Sequence, residues 1–493
     1  MKDLVLAIDQ GTTGSTALVV DVTGRVLASA NVEFRNHFPA PGLVEHDVED
    51  IWESVGTAVT RALAGIDRTR LAAIGITNQR ETSVFWSAST GKAAHRALVW
   101  QDRRTADRCA ELRAQGWEDT VRARTGLVLD PYFSGTKAEW ILRNVPGTAA
   151  EAASGTLRFG TLDSFLVWRL TGGPDGGAHV TDPSNASRTL LFDLHRMCWD
   201  DELCALFGVP KACLPTLVDN AGVIGLTRGV PFLPDGVPVS GLAGDQQSAL
   251  FGQACFVPGM AKCTYGTGAF ALVNTGPTPR PSTRGMLTTV AWRLGGQTTY
   301  ALEGSAFIAG AAVQWLRDGL GFFQSSAEVE ALAESVPDSG GVVFVPALTG
   351  LGAPHWRPGA RGILCGLTRG TTRAHIARAA LEGIALQVTD LLGAMSEDAG
   401  APIAELRVDG GAARNDLLMQ FQADVLRTRC VRPKVLETTG MGAAYLAGLG
   451  VGLWTSADAV TAAWATDRVF DPSMDDASVD AVLATWKDAV RKA

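Results

Sequence analysis

A Gly/Thr-rich turn between two short apolar runs occurs twice in this chain of 493 residues, and the repeat limits the folds that the chain can adopt. The first turn covers residues 11–15, and a weaker copy lies at 264–268. Turn residues between two strand-like runs predict a β-hairpin, and repetition of the pattern favours duplication of one folding unit. We therefore predict two related lobes, residues 1–252 and residues 253–493.

Strand-like and helical patterns alternate after the first hairpin. A third strand-like run follows at 26–30, helical periodicity covers 48–63 with acidic residues in its first turns, and a further strand-like run covers 71–77. Alternation of this kind indicates an α/β sheet. Apolar residues at helical spacing in 479–490 predict a closing amphipathic helix. The predicted fold class is therefore α/β.

Composition excludes several classes of function. The formal net charge is −8, and Lys and Arg form no cluster that would follow a phosphate backbone, so we expect no nucleic-acid partner. No apolar run approaches about 18 residues, so we expect no membrane span. The N-terminus lacks a signal-peptide core, and the eight cysteines show neither CxxC pairs nor metal-ligand spacing. We expect a cytoplasmic protein with reduced, mostly buried thiols.

The first turn carries groups that bind phosphate. Its glycines expose backbone N–H groups, and further donors come from the hydroxyls of Thr12, Thr13 and Ser15. Asp9, at the end of the preceding strand-like run, has the carboxylate oxygens that Mg²⁺ prefers. Taken alone, this motif is explained equally well as an ordinary turn. The second copy favours two facing phosphate-binding hairpins.

A nucleoside contact is predicted where Gly410 and Gly411 follow a strand-like run and precede a helix. Two glycines allow the backbone to approach a flat ligand, and Asn415 can hydrogen-bond to it. An ordinary Gly-Gly turn is the alternative for this segment.

Asp245 follows another strand-like run that is broken by glycine. A carboxylate at such a position, followed by two amides, suits a general base, with Gln246 orienting a second hydroxyl. The alternative for Asp245 is an ordinary helix N-cap.

Polyol contacts are predicted at a charged pair and at three aromatic residues. Arg80 and Glu81 can donate to and accept from hydroxyl groups, although an isolated pair of this type is more often a surface ion pair. Trp100, Tyr132 and Phe270 can pack against a carbon chain, although aromatic side chains usually belong to the core.

Several segments, in their order along the chain, resemble the FGGY family of carbohydrate kinases over nearly the whole length. These are residues 9–13, 78–82, 99–105, 130–137, 244–247 and 265–268, together with 362–382, where Gly366, His375, Ala379 and Glu382 match a family signature.

The resemblance implies two ribonuclease H-like lobes, as in actin and hexokinase, with the active site in the cleft between them. It implies ATP and Mg²⁺ as cofactors, Asp9 as the metal partner and Asp245 as the catalytic base. The implied polyol contacts are Arg80, Glu81, Trp100, Tyr132, Asp245, Gln246 and Phe270. The implied nucleotide contacts are Thr12, Thr13, Ser15, Thr267, Gly310, Gln314, Gly411 and Asn415.

Within the family, the Arg80–Glu81 pair favours glycerol as the substrate, phosphorylated to sn-glycerol 3-phosphate as the entry step of glycerol catabolism. The resemblance also implies a homodimer or homotetramer. The alternatives are a kinase for erythritol, xylulose or gluconate, and a non-catalytic actin-like ATP-binding protein. One departure concerns Thr16, which stands where an arginine is usual, and we expect it to lower ATP affinity or turnover.

Overall fold

The computed structural model describes residues 2–357 and 359–493. Up to residue 252, its strands are β1 (Leu4–Gln10), β2 (Gly14–Asp21), β3 (Val26–Glu33), β4 (Asn36–His37), β5 (Glu45–His46), β6 (Leu71–Asn78), β7 (Ser83–Ser87), β8 (Ala97–Leu98), β9 (Leu157–Thr161), β10 (Val180–Thr181), β11 (Phe192–Asp193), β12 (Cys198–Trp199), β13 (Thr216–Leu217), β14 (Ala221–Leu226) and β15 (Pro238–Gly244). The helices of the same part are α1 (Val48–Ala62), α2 (Ala106–Ala114), α3 (Glu118–Thr125), α4 (Ser134–Asn144), α5 (Thr148–Ala153), α6 (Leu162–Leu170), α7 (Pro183–Ala186), α8 (Asp201–Leu206) and α9 (Asp245–Gly252).

Beyond residue 252, the strands are β16 (Met260–Tyr265), β17 (Ala269–Gly276), β18 (Leu287–Leu294), β19 (Gln297–Ala306), β20 (Val343–Val345), β21 (Ile363–Cys365), β22 (Glu405–Asp409), β23 (Cys430–Pro433) and β24 (Thr466–Phe470). The helices are α10 (Gly310–Asp318), α11 (Glu328–Glu334), α12 (Arg373–Ala399), α13 (Asp416–Leu426), α14 (Thr438–Gly450), α15 (Ala457–Ala463) and α16 (Asp476–Lys492). Short 3₁₀ helices cover Arg68–Arg70, Gly173–Asp175, Lys211–Cys213 and Gly411–Arg414.

Each lobe contains one large sheet with the same central arrangement. The first sheet has the order β14-β15-β6-β1-β2-β3, and the second has the order β18-β19-β17-β16-β22-β23-β24. In both, a hairpin strand pairs antiparallel with its partner and parallel with a later strand: β1 with β2 and β6, and β16 with β17 and β22. This repeat confirms the predicted α/β class and the two ribonuclease H-like lobes. The division at residues 252 and 253 stays a prediction.

Helix α1 shows why the local sequence adopts its predicted element. Asp47 caps it by accepting a hydrogen bond from the backbone N–H of Glu49, and acidic residues occupy the first turn where the helix dipole favours them. Ile51, Val55 and Val59 recur at helical spacing and are fully buried in the core of the first lobe. The helix therefore covers the sheet formed by the opening meander.

Helices α9 and α14 cross closely where the two lobes join. A Cβ atom at Gly442 would lie 1.8 Å from the carbonyl oxygen of Ser248, and one at Gly252 would lie 2.0 Å from that of Thr438. Only glycine permits this approach of the two backbones. The crossing fixes the position of α9, whose first residue is Asp245.

Two further expectations concern the whole chain. All eight cysteines are free, and six of them are buried, in agreement with reduced thiols. Across residues 2–357 and 359–493, no helix combines the length and apolarity that a membrane span requires.

Candidate active site

Asp245 lies at the junction of β15 and α9. The N-cap of α9 is Gly244, so the alternative of an N-cap aspartate is not what the structure shows. The Asp245 carboxylate is 30% exposed, and its Oδ1 lies 3.1 Å from Arg80 Nε. Burial raises the pKa of Asp245, while the positive charges of Arg80 and Lys262 oppose that shift. A partly exposed carboxylate held between two cations can accept a proton from a hydroxyl group.

Arg80 follows β6 and is 2% exposed, so it is not the surface ion pair of the alternative interpretation. Its guanidinium donates to Glu303 at 2.8 Å, to Gln247 at 3.1 Å and to the Tyr132 hydroxyl at 3.4 Å. Because protein groups already engage these donors, a polyol hydroxyl at this position must share one of them.

Four buried side chains form an arginine–glutamate cluster, composed of Arg80, Glu81, Arg188 and Glu303. Glu303, in β19 of the second lobe, accepts from Arg80 and, at 3.1 Å, from Arg188. Arg188 Nε donates to Glu81 Oε1 at 2.7 Å. Burial opposes ionisation of Glu303, but Arg188 and Arg80 lower its pKa to about 2. The cluster therefore joins the lobes through paired charges.

Glu81 has a backbone conformation that is unusual outside glycine, with φ of 61°. Such a conformation costs about 1–3 kcal/mol and persists only where the surroundings enforce it. The Glu81 carbonyl accepts from the hydroxyls of Ser83 and Ser134, each at 2.9 Å. These contacts hold the backbone of Glu81, and its carboxylate accepts from Arg188.

The aromatic residues connect the polyol side of the site with the first turn. The rings of Trp100 and Tyr132 meet edge to face at 5.5 Å, and both side chains are partly exposed. Trp100 Nε1 donates to Thr12 Oγ1 at 2.9 Å. Phe270 is partly exposed in β17, and within the described ranges no ring contact joins it to the other two.

The first turn presents two of its three predicted hydroxyls to the surface. Thr12 is partly exposed and Thr13 is exposed. Ser15, in contrast, is fully buried in β2, and its hydroxyl bonds to that of Ser54 in α1 at 2.8 Å. Strand alternation turns Ser15 toward the helix side of the sheet. The Ser15 hydroxyl is therefore directed at α1 and is not available to a nucleotide.

Asp9 is partly buried at the end of β1. Burial and the negative charge of Asp245 raise the pKa of Asp9 to about 7, so a cation beside Asp9 would be stabilising. Among the described residues, no group of three or more His, Cys, Asp or Glu could enclose a metal ion. Mg²⁺ usually binds to one or two carboxylates, water and substrate phosphates. A single carboxylate at Asp9 fits a magnesium ion of this type.

The second turn lies against the beginning of α10. Ala309 and Ala311 donate backbone N–H groups to the carbonyl of Thr267, at 2.8 Å and 3.1 Å, and Gly310 donates to that of Gly266 at 2.9 Å. Thr267 is exposed, and Gln314 is exposed one helical turn beyond Gly310. The structure thus brings Thr267, Gly310 and Gln314 together.

The Gly-Gly turn packs against the same hairpin. Gly410 has φ of 87°, and a Cβ atom there would lie 2.6 Å from the carbonyl oxygen of Tyr265. Gly411 is exposed beside it. Asn415 caps α13, and its Oδ1 accepts the N–H of Leu418 at 2.7 Å. The amide N–H₂ group of Asn415 and the second lone pair of its Oδ1 therefore remain for a ligand.

Residues 4–252 match the N-terminal domain of the FGGY family of carbohydrate kinases, and residues 261–451 match its C-terminal domain. The chain belongs to this family. A glycerol kinase of Myxococcus xanthus (strain DK1622) is 57% identical over 493 residues, which cover 99% of each chain. A glycerol kinase of Aromatoleum aromaticum is also 57% identical, over 99% of this chain and 98% of the relative.

Solved structures of other FGGY kinases have the same two-lobed fold. Plasmodium falciparum glycerol kinase with ADP superimposes with a TM-score of 0.93 at 36% identity, over 99% of this chain and 98% of the other. A ligand-bound xylulose kinase from Lactobacillus acidophilus has a TM-score of 0.89 at 20% identity, with the same coverage. The second likeness concerns the fold alone.

Two buried charged residues of this FGGY kinase, Arg188 and Glu303, were not among the site residues predicted from the sequence. A signal for Glu303 was present, because it is the one charged residue in the largely apolar segment 300–306. A carboxylate in such a strand requires a buried cationic partner. Arg188 follows the short helix α7 and carries no comparable local pattern.

Proposed function

We propose that this protein transfers the γ-phosphoryl group of ATP to glycerol, giving sn-glycerol 3-phosphate and ADP. The observation that carries the proposal is the Asp245 carboxylate, partly exposed between Arg80 and Lys262 and surrounded by donors and acceptors that suit a polyol. The full-length curated relatives, named glycerol kinases, support the same conclusion. The reaction is the entry step of glycerol catabolism.

Glycerol binds next to Asp245 in this proposal. Arg80, Glu81, Asp245 and Gln246 exchange hydrogen bonds with its hydroxyls, and Trp100, Tyr132 and Phe270 flank the carbon chain. The arginine–glutamate cluster restricts the motion of Arg80 and Glu81, so little order has to be gained when the polyol binds.

Asp245 then accepts the proton of the terminal hydroxyl. The deprotonated hydroxyl oxygen forms a bond to the γ-phosphorus. At the same time the bond between the γ-phosphorus and the β–γ bridging oxygen breaks, and ADP leaves. Protonated Asp245 returns its proton to solvent. Closure of the lobes excludes water that would otherwise compete with glycerol as the acceptor.

The nucleotide lies between the two turns, with contacts from Thr12, Thr13, Thr267, Gly310, Gln314, Gly411 and Asn415. Asp9 would hold Mg²⁺, which would neutralise part of the phosphate charge. Thr16 is uncharged, so it adds no positive charge near the phosphates. Its hydroxyl accepts a hydrogen bond from Asn31 at 2.9 Å. A lowered ATP affinity or turnover due to Thr16 stays a prediction.

The test is an ADP-release assay with glycerol, erythritol, xylulose, gluconate and a blank without acceptor. We expect ADP formation to require glycerol, with kcat/KM at least about tenfold above any other acceptor, because a site built for specific hydroxyls discriminates strongly. Preference for a different acceptor would favour the alternative kinases. ADP release in the blank at the same rate would indicate the actin-like alternative. A stereospecific dehydrogenase assay identifies the product.

The assembly and the location are parts of the same proposal. We propose a homodimer or homotetramer, which sedimentation equilibrium distinguishes from a monomer. The cytoplasmic location stays a prediction, to be checked by cell fractionation.

A further inference from the structure

Lys262 is a fully buried lysine in the middle of β16, the strand that leads into the second turn. Its Nζ donates to Gln246 Oε1 and, at 3.0 Å, to Thr264 Oγ1. Burial lowers the pKa of Lys262, and the carboxylates of Asp409, Asp245 and Glu303 oppose the shift. Burial of an ammonium group away from water costs free energy unless its N–H groups form hydrogen bonds. The two neutral acceptors therefore hold the lysine head in a defined position.

The contact with Gln246 determines which end of that amide reaches the substrate. A lysine ammonium only donates hydrogen bonds, so it selects the carbonyl oxygen of Gln246. The amide N–H₂ group must then point away from Lys262. Gln246 is partly exposed and lies next to Asp245 in α9, with its backbone N–H bonded to Asp245 Oδ1 at 2.7 Å. The base and the amide donor consequently lie side by side.

This arrangement complements two neighbouring hydroxyls of a polyol. One hydroxyl donates its proton to Asp245, and the next one accepts a hydrogen bond from Gln246 Nε2. With the amide reversed, Gln246 would offer a second acceptor beside the Asp245 carboxylate, and the neighbouring hydroxyl would lose its donor.

We propose that Lys262 is a positioning residue that orients the Gln246 amide, with its N–H₂ group toward the substrate polyol. The inference rests on the proposed glycerol kinase activity. It also assigns a link between the lobes, since Gln246 belongs to the helix of Asp245 and Lys262 belongs to the strand of the second turn.

A double-mutant cycle tests the inference with Lys262→Met, Gln246→Met and the double variant. Each single substitution should raise the KM for glycerol about tenfold, the effect of losing one useful hydrogen bond. The double variant should be no worse than the poorer single variant, because Lys262 acts through Gln246. The KM for ATP should change by less than about twofold, because the contact lies on the polyol side of the site. Lys487→Met, at an exposed lysine, is the matched control.

Gln246→Glu provides a second test that does not depend on the folding of the Lys262 variant. The glutamate keeps and strengthens the contact with Lys262 but offers an oxygen to the cleft. We expect a melting temperature at or above that of the wild type and a KM for glycerol raised about tenfold. An unchanged KM would show that Gln246 presents its carbonyl to the polyol, which overturns the inference.

Multiplicative effects of the two single substitutions would also overturn it, because they would mean that Lys262 acts independently of Gln246. Such a result, with wild-type ADP release still dependent on glycerol, leaves the proposed function intact. A wild-type protein without glycerol-dependent activity would overturn both.

Discussion

The two Gly/Thr turns have the same strand neighbours, but they bring opposite charges to the cleft. In the first lobe, the acidic residue Asp9 is the last but one residue of β1, and in the second lobe, β16 carries the buried amine of Lys262. Asp245 interacts with both: its negative charge raises the pKa of Asp9, whereas Lys262 opposes the rise in the pKa of Asp245. The duplicated fold therefore does not duplicate the chemistry. The first lobe contributes the Asp9 carboxyl group, which we propose as the metal partner, and the second lobe contributes the amine of Lys262.

The largest effect is expected when the Asp245 carboxylate, which interacts with both Asp9 and Lys262, is removed. Asp245→Asn should lower kcat about a hundredfold to ten-thousandfold, because the amide cannot accept the hydroxyl proton. Folding should be retained, since the substitution is nearly isosteric and the side chain is 30% exposed. Steady-state ADP release and circular dichroism measure the two effects.

Asp458→Asn is the matched control for this prediction, because Asp458 is an exposed aspartate in the first turn of α15. It should leave kcat unchanged. A wild-type kcat in Asp245→Asn would contradict the assignment of Asp245 as the base.

The next prediction concerns the charges that join the lobes. Glu303→Gln leaves Arg80 and Arg188 without their shared carboxylate and should lower the free energy of unfolding by about 3 kcal/mol. The KM for glycerol should rise as well, because Arg80 loses the partner that fixes it. Urea unfolding and steady-state kinetics provide the two measurements.

Glu405→Gln serves as the control in the same sheet. Glu405 is 25% exposed and, among the described residues, forms an ion pair with Arg407, which also donates to the carbonyl of Gln253, so the Glu405 substitution should cost about 1 kcal/mol. Equal losses of stability in the two variants would mean that the buried cluster contributes no more than the partly exposed Glu405–Arg407 pair.

Local sequence patterns predict the hairpins of this fold but not the arginine–glutamate cluster. The hairpins, α1 and the position of Asp245 were predictable because they depend on periodicity and turn residues within short segments. Arg80 and Glu303 are 223 residues apart, and no local pattern states that β6 and β19 approach each other. The sequence does indicate that these charges need partners. Glu303 and Lys262 are charged residues within buried strands, so each requires a partner from elsewhere in the fold.

The burial of the Ser15 hydroxyl was unpredictable for a different reason. The turn motif identified the hydroxyl, but its direction depends on which face of β2 the helix α1 covers, and that follows from packing in the assembled lobe. Contacts proposed for single residues of the turn are therefore less predictable from sequence than the turn itself.

The smallest effect concerns the response of the first lobe to acid. His46 is fully buried in the first lobe, where it bonds to Asn36 at 2.5 Å and to Gln79 at 3.3 Å. Burial, with a smaller effect of His37, lowers the pKa of His46 to about 4. In the unfolded chain the pKa is about 6.5, so protons bind preferentially to the unfolded state between these two values.

The free energy of unfolding should therefore fall as the pH decreases from about 6.5 to about 4, and His46 should contribute about 1–3 kcal/mol of that loss. In His46→Gln, this contribution should disappear, so the difference in stability between wild type and variant should shrink as the pH falls through that range. The exposed His195, replaced by Gln, is the control. A difference that stays constant with pH would show that His46 can be protonated without opening the first lobe. Because the difference isolates one histidine, the titration of buried carboxyls such as Asp163 does not obscure it.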